Sequence, residues 1–435
     1  MTGSPAHGRP IAFTNVRLVD PASGYDGPGG LIVTEGVIAD VAKGAGLGAL
    51  SKDVEVVDGR GAVLMPGLVD IRVKSGEPGA ETKETLKSAA LAAAAGGVTS
   101  IVLQPDTDPV IDEPSVVDFI LRRARDIELV KVHVAGAATK GARGERMAEI
   151  GLMAEAGCLY VTDADRPIVD SKVLRRVLSY AKAFGVLVAH RPADPWLSAG
   201  AAASEGEFAS RMGLPSVPAV AEKIMLERDL ALAELTGAPL LVDQVTTAGA
   251  LESLKRARDR GLAVTATTSI NHLSFNEIDI GDYRTFCKLD PPLRSEDDRQ
   301  AVIEAVASGL IQVVVSAHAP APAEDKRLPY DEATPGAIGL QTLLPALLTF
   351  HHEERMALID LIRTVTCAPA DLLGLESGRL ARGAPADLVL CDLNAPLLID
   401  ADKLISKSKN SPFDGRRLQG KVLRTLVDGR TVYAG

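Results

Sequence analysis

The sequence predicts a (β/α)8 TIM barrel carrying a small β-sandwich domain built from both chain ends. Three observations predict it. The middle of the chain alternates short apolar runs with helical patterns, eight such runs fall within about 250 residues, and both ends break into short β segments between Gly, Pro and Asp turns. A doubly wound open sheet is the competing arrangement, but no GxGxxG follows an early strand.

The N-terminal β segments are "IAFTNVRLVD", "GGLIVTEGVIADVA" and "VEVVDGRGAVLMPG". The C-terminal ones are "ADLVLCDLNAPLLI" and "KVLRTLVDGRTVYAG", the latter with a "VDGR" hairpin signal. Residues 1–65 and 375–435 are therefore expected to form one composite β domain around a barrel at 66–374. The barrel strands are read at "GLVDIRV" (67–73), "TSIVLQP" (99–105), "VKVHVAG" (130–136), "CLYVTD" (158–163), "VLVAH" (186–190), "PLLVDQV" (239–245), "AVTATTS" (263–269) and "IQVVVSAHA" (311–319). Runs this apolar suit parallel strands covered on both faces. Between them "KETLKSAALAAAAGG", "SKVLRRVLSYAKAFG" and "DRQAVIEAVASG" carry helical periodicity and end in glycine.

The 435-residue chain carries a net charge of −10, which argues against general nucleic-acid binding. The basic stretches "DFILRRARD" and "LKRARDRG" include acidic residues and read as solvated helix faces. Cys158, Cys287, Cys367 and Cys391 are far apart, as expected of reduced thiols in a cytoplasmic protein. The opening "MTGSPAHGRP" lacks a leader pattern, and no uncharged apolar run reaches membrane-spanning length, so no membrane association is expected.

Barrel chemistry sits where strands exit into loops. Strand one exits through "DIRVKSGEPG", with Arg72 and Lys74 two apart and therefore on one face. Strand four offers Asp163 with Asp165 nearby, strand five His190, strand six Gln244, and strand eight Ala317 beside His318. The set is polar but poor in zinc donors, which are imidazole, thiolate or carboxylate.

The stretches "MPGLVDIRVKSGEPGAETKET", "GGVTSIVLQPDTDPVID", "KLDPPLRSEDDR", "VVVSAHAPAPAEDK" and "SKSKNSPFDGRRLQGKVLRTLVDGRTVY" resemble dihydroorotases of the amidohydrolase superfamily, in order and over nearly the whole chain. The resemblance implies an amidohydrolase-type barrel with the composite β domain, in a protein of pyrimidine biosynthesis. It also implies which positions have changed. The family's two strand-one histidine ligands are Arg72 and Lys74 here. Its strand-six histidine is Gln244, its general acid/base aspartate is Ala317, and its carboxylate-binding arginine is Gly76. His190 matches the strand-five ligand, and the strand-four aspartate falls on Asp163 or Ala164. Asp106, His272 and Asp290 remain as substrate-binding remnants.

A unit charge ~4 Å from a divalent ion meets roughly 8 kcal/mol of repulsion at an effective dielectric near 20. Structural zinc with a full ligand set gains roughly 10–16 kcal/mol. Two cations facing two remaining ligands therefore predict no metal, no cofactor and no catalytic residue. The expectation is an inactive homologue acting as an oligomeric structural partner of aspartate transcarbamoylase. Two alternatives remain: an active dihydroorotase or related cyclic-amide hydrolase with an altered site holding zinc, and an anion-binding module using Arg72 and Lys74. In the simplest reading of that pair, they fill the vacated metal volume by pairing with Asp163 or Asp165.

Overall fold

The structure is a computed structural model describing residues 9–44 and 46–435. Most of the opening stretch read for a leader pattern, residues 1–8, lies outside the described residues.

The chain first lays down β1 (Ile11–Asp20), β2 (Tyr25–Thr34), β3 (Val37–Lys43), β4 (Glu55–Asp58) and β5 (Val63–Pro66). The barrel strands follow: β6 (Leu68–Val73), β7 (Val98–Leu103), β8 (Lys131–Gly136), β9 (Cys158–Val161) and β10 (Leu187–His190). A short ladder of β11 (Ala203–Ser204) and β12 (Ser216–Val217) interrupts them before β13 (Leu240–Val242), β14 (Val264–Ser269) and β15 (Val313–Val315). The chain closes with β16 (Leu388–Leu398), β17 (Arg417–Val427) and β18 (Arg430–Ala434).

Seven of the eight expected barrel runs contain their strands, the other strand, β7, begins one residue before its run, and β6 to β10 and β13 to β15 form one eight-stranded sheet in chain order. Its closure is thin. Between the first and last strands it rests on a parallel bridge, Val73 to His318, with Lys74 N donating to His318 O at 2.8 Å. The three helices whose stretches end in glycine stop just before it, with Gly97, Gly185 and Gly309 left-handed at φ 79°, 69° and 74°. Thr85 caps Leu86–Ala95 and Asp170 caps Ser171–Ala183.

The second sheet runs β18-β17-β16-β5-β1-β2-β3, with β4 also on β1, so both chain ends share one core of Phe13, Leu18, Leu31, Leu64, Leu388 and Leu426. The "VDGR" hairpin forms, with Asp428 and Gly429 both left-handed as its turn requires. Both basic stretches lie on helices, Pro114–Ile127 and Ala248–Asp259, and all four cysteines are free and buried. Among the described residues no helix is long and apolar enough to cross a membrane.

Two cores flank the barrel sheet. Val69, Ile71, Val102, Tyr160, Leu241 and Val313 pack together as one small cluster, separate from the larger core that includes the surrounding helices. Strand β6 breaks simple alternation. A register shift against β7 between Asp70 and Val73 lets Ile71 join this small cluster while Arg72 still reaches the mouth.

Candidate active site

The strand exits enclose a cavity of about 40 Å³, lined by Arg72, Lys74, Asp165, Gln244, Asn271 and Asp290 among others. That is room for a few waters. It is small because the side chains around it are paired across it.

Arg72 is 4% exposed and donates through Nε to Asp243 Oδ2 at 2.7 Å and through Nη2 to Asp165 Oδ1 at 2.6 Å. With its amide oxygen turned to the guanidinium, Gln244 also accepts from Arg72 Nη2 at 2.9 Å. Lys74 bridges Asp106, at 2.6 Å, and Asp165. Arg191 meets Asp290 through both terminal nitrogens and reaches Asp165 at 3.6 Å. Burial works against the charge on Arg72, but Asp243 and Asp165 outweigh it and hold the guanidinium above its ordinary pKa. The same balance, with Asp106 and Asp165, raises Lys74. Burial alone would push Asp165 up, yet Lys74, Arg72 and Arg191 hold it far below the usual carboxylate range.

Of the two partners expected for Arg72 and Lys74, Asp165 is the one used. Asp163 is 2% exposed and accepts from Thr139, backbone N at 2.9 Å and hydroxyl, away from the cations. His190 is equally committed. Its Nε2 accepts from Ile168 N at 2.8 Å, which leaves Nδ1 as the donor to Asp229 Oδ2 at 2.6 Å.

One backbone feature recurs at three of the strand exits. Ala164, Gln244 and Ala317 follow strands four, six and eight, and all are left-handed, at φ 54°, 61° and 50°. A non-glycine residue held there costs about 1–3 kcal/mol. Three such turns recur at barrel exits, Ala164 among them.

The remnants do reach the mouth. Asp106 pairs with Lys74, and His272 and Asp290 line the cavity. Burial drives the His272 pKa down to about 3, so its ring is neutral, with Nε2 donating to Pro291 O at 3.1 Å and Nδ1 accepting from Ser269 Oγ at 2.7 Å. Sequence reasoning missed Asp243, Arg191 and Asn271. Asn271 is 1% exposed, lines the cavity, and its Oδ1 has no hydrogen-bond partner. The available signal was adjacency: Asp243 precedes Gln244, and Arg191 follows His190.

A divalent ion does not fit these residues. Arg72 and Lys74 bring two positive charges, Ala317 offers no donor, Asp163 is held by Thr139, and both ring nitrogens of His190 are taken. Among the described residues no three His, Cys, Asp or Glu side chains gather as a metal-ligand group. What the mouth can do is hold an anionic or amide-bearing molecule among fixed charges.

Residues 61–249 match the Dihydro-orotase-like family model and residues 348–433 the Amidohydrolase family model. A dihydroorotase of Pelobacter propionicus is 38% identical over 423 residues, covering 97% of this chain and 99% of that protein. A dihydroorotase of Anaeromyxobacter dehalogenans is 39% identical over 419 residues, covering 96% of each. The fold is matched by the L-hydantoinase of Arthrobacter aurescens, with a TM-score of 0.87 at 24% identity, over 98% of this chain and 96% of that one.

These relatives correct the expectation of an inactive partner of aspartate transcarbamoylase. Proteins named for the enzyme align from end to end with this chain. The physical error lay in equating lost ligands with a dismantled site, whereas the mouth is refilled with ordered charge. The chain belongs to the dihydroorotase family of amidohydrolases.

Proposed function

We propose that this chain hydrolyses a cyclic amide, dihydroorotate or a closely related ring, at the barrel mouth. The observation that carries the reading is the end-to-end similarity to proteins named dihydroorotase. The chemistry falls to the residues present. Asn271 offers a carboxamide to the ring: Nδ2 donates to the amide oxygen, and the bare Oδ1 accepts from the ring N–H. Asp290 has both oxygens on Arg191, but each carboxylate oxygen keeps a further lone pair, and with the side chain 43% exposed at the cavity edge one of these takes a proton from water. Water oxygen then bonds to the ring carbonyl carbon, the carbon–nitrogen bond breaks, and Asp290 returns the proton to the departing nitrogen.

The test is ring opening of dihydroorotate by the purified protein, with and without a chelator. Ring opening above the buffer rate that chelation leaves unchanged is the expected result. Asn271→Ala should lower kcat by about 10²-fold, the usual effect of removing one donor at a developing oxyanion. No turnover in either direction would overturn the proposal. Turnover abolished by chelation would overturn the metal-free chemistry.

A further inference from the structure

Each mouth cation has a carboxylate of its own: Asp243 for Arg72, Asp106 for Lys74 and Asp290 for Arg191. Asp165 is a fourth carboxylate, shared by all three cations. Its side chain is 31% exposed, on the loop between β9 and the helix Ser171–Ala183. With Asp165 in place, three cations face four carboxylates; without it they face three. Three positive side chains converging on one small anion make a carboxylate-binding site, and here the chain supplies the anion itself. The bare, buried Oδ1 of Asn271 lies on the wall of the same cavity and lacks a donor.

We propose that Asp165 occupies the seat of a ligand's carboxylate, and that the mouth admits a small carboxylate-bearing ring when that carboxylate replaces Asp165 on Arg72, Lys74 and Arg191. The exchange leaves the number of carboxylates on the three cations unchanged, so it carries no net charging cost. The closed cavity, about 40 Å³, holds only a few waters, and on this reading Asp165 swings outward as the ligand enters. The inference rests on the proposed function for the location and ring chemistry of the ligand.

The experiment is titration calorimetry on the full chain with three probes: dihydroorotate, dihydrouracil as the ring without a carboxylate, and succinate as carboxylates without a ring. Asp165→Asn should bind dihydroorotate at least about tenfold more tightly than wild type, while dihydrouracil binding stays unchanged. Asp165→Ala should do the same, and succinate should gain in both. Arg191→Gln should weaken dihydroorotate about tenfold and leave dihydrouracil alone. If both Asp165 variants melt like wild type and bind dihydroorotate no more tightly, the seat is wrong. Should neither fold, Arg191→Gln decides, and unchanged preference for the carboxylate-bearing ring overturns the proposal. Absent turnover with this binding pattern intact removes the hydrolase reading and keeps the seat. Turnover with no Asp165 effect does the opposite.

Discussion

The exits of β6 and β10 have changed in opposite ways. At β10 the expected residue type remains, but both nitrogens of His190 are spent on Ile168 and Asp229, so it anchors a loop to a helix. At β6 the residue types have gone, yet Arg72 and Lys74 still face the cavity and organise it. A retained side chain is therefore no sign of a retained role. What decides is whether its polar atoms are free to meet a ligand.

Removing Arg72 should break this contrast most severely. Arg72→Ala leaves Asp243, 7% exposed, as a buried carboxylate without its cation, at a cost of about 3–5 kcal/mol in urea denaturation. The double variant Arg72→Met with Asp243→Leu should recover most of that loss, because an apolar pair of similar size leaves no orphaned charge. A loss below about 1 kcal/mol for Arg72→Ala would place the pair with ordinary surface bridges.

His190→Ala should cost less, about 2 kcal/mol. It strips the acceptor from Ile168 N and one donor from Asp229, but Arg228 still donates to Asp229, through Nε at 2.9 Å. The same denaturation measurement checks it. A loss equal to that of Arg72→Ala would erase the distinction between anchor and organiser.

Much of this was legible in the sequence. The eight apolar runs mark eight strands because a parallel strand covered on both faces is largely apolar, and the composite β domain follows from two β-rich ends. Arg72 and Lys74 could be placed together because i and i+2 share a strand face. The partners were harder to read, since pairing is set by loops. Asp165 lies two residues from the strand-end Asp163, but Asp243 and Arg191 stand beside Gln244 and His190, the positions aligned with the family's ligands, and carry no signal of their own. Alternation also fails at the exits themselves. With Ala164, Gln244 and Ala317 left-handed, period-two counting no longer says which neighbour turns inward.

The smallest effect is expected two residues below Arg72 on the same strand. Asp70 is fully buried, and burial raises its pKa from 3.8 to about 6, only partly offset by hydrogen bonds to its Oδ1 from Arg72 N at 3.2 Å and Ser316 N at 3.4 Å. Its Oδ2 has no partner. A carboxyl whose pKa is raised by folding binds its proton more tightly in the folded state. Its favourable contribution is therefore full below 3.8 and is lost as pH rises through about 6. Asp70→Asn keeps an oxygen for both backbone donors and removes the charge. It should be about 1–2 kcal/mol more stable than wild type at neutral pH, with the advantage shrinking toward the acid end of that window. Urea midpoints for both proteins across the window check the sign. An advantage that does not change with pH would mean that Asp70 does not titrate there, and that charge on β6 matters only where a partner waits across the mouth.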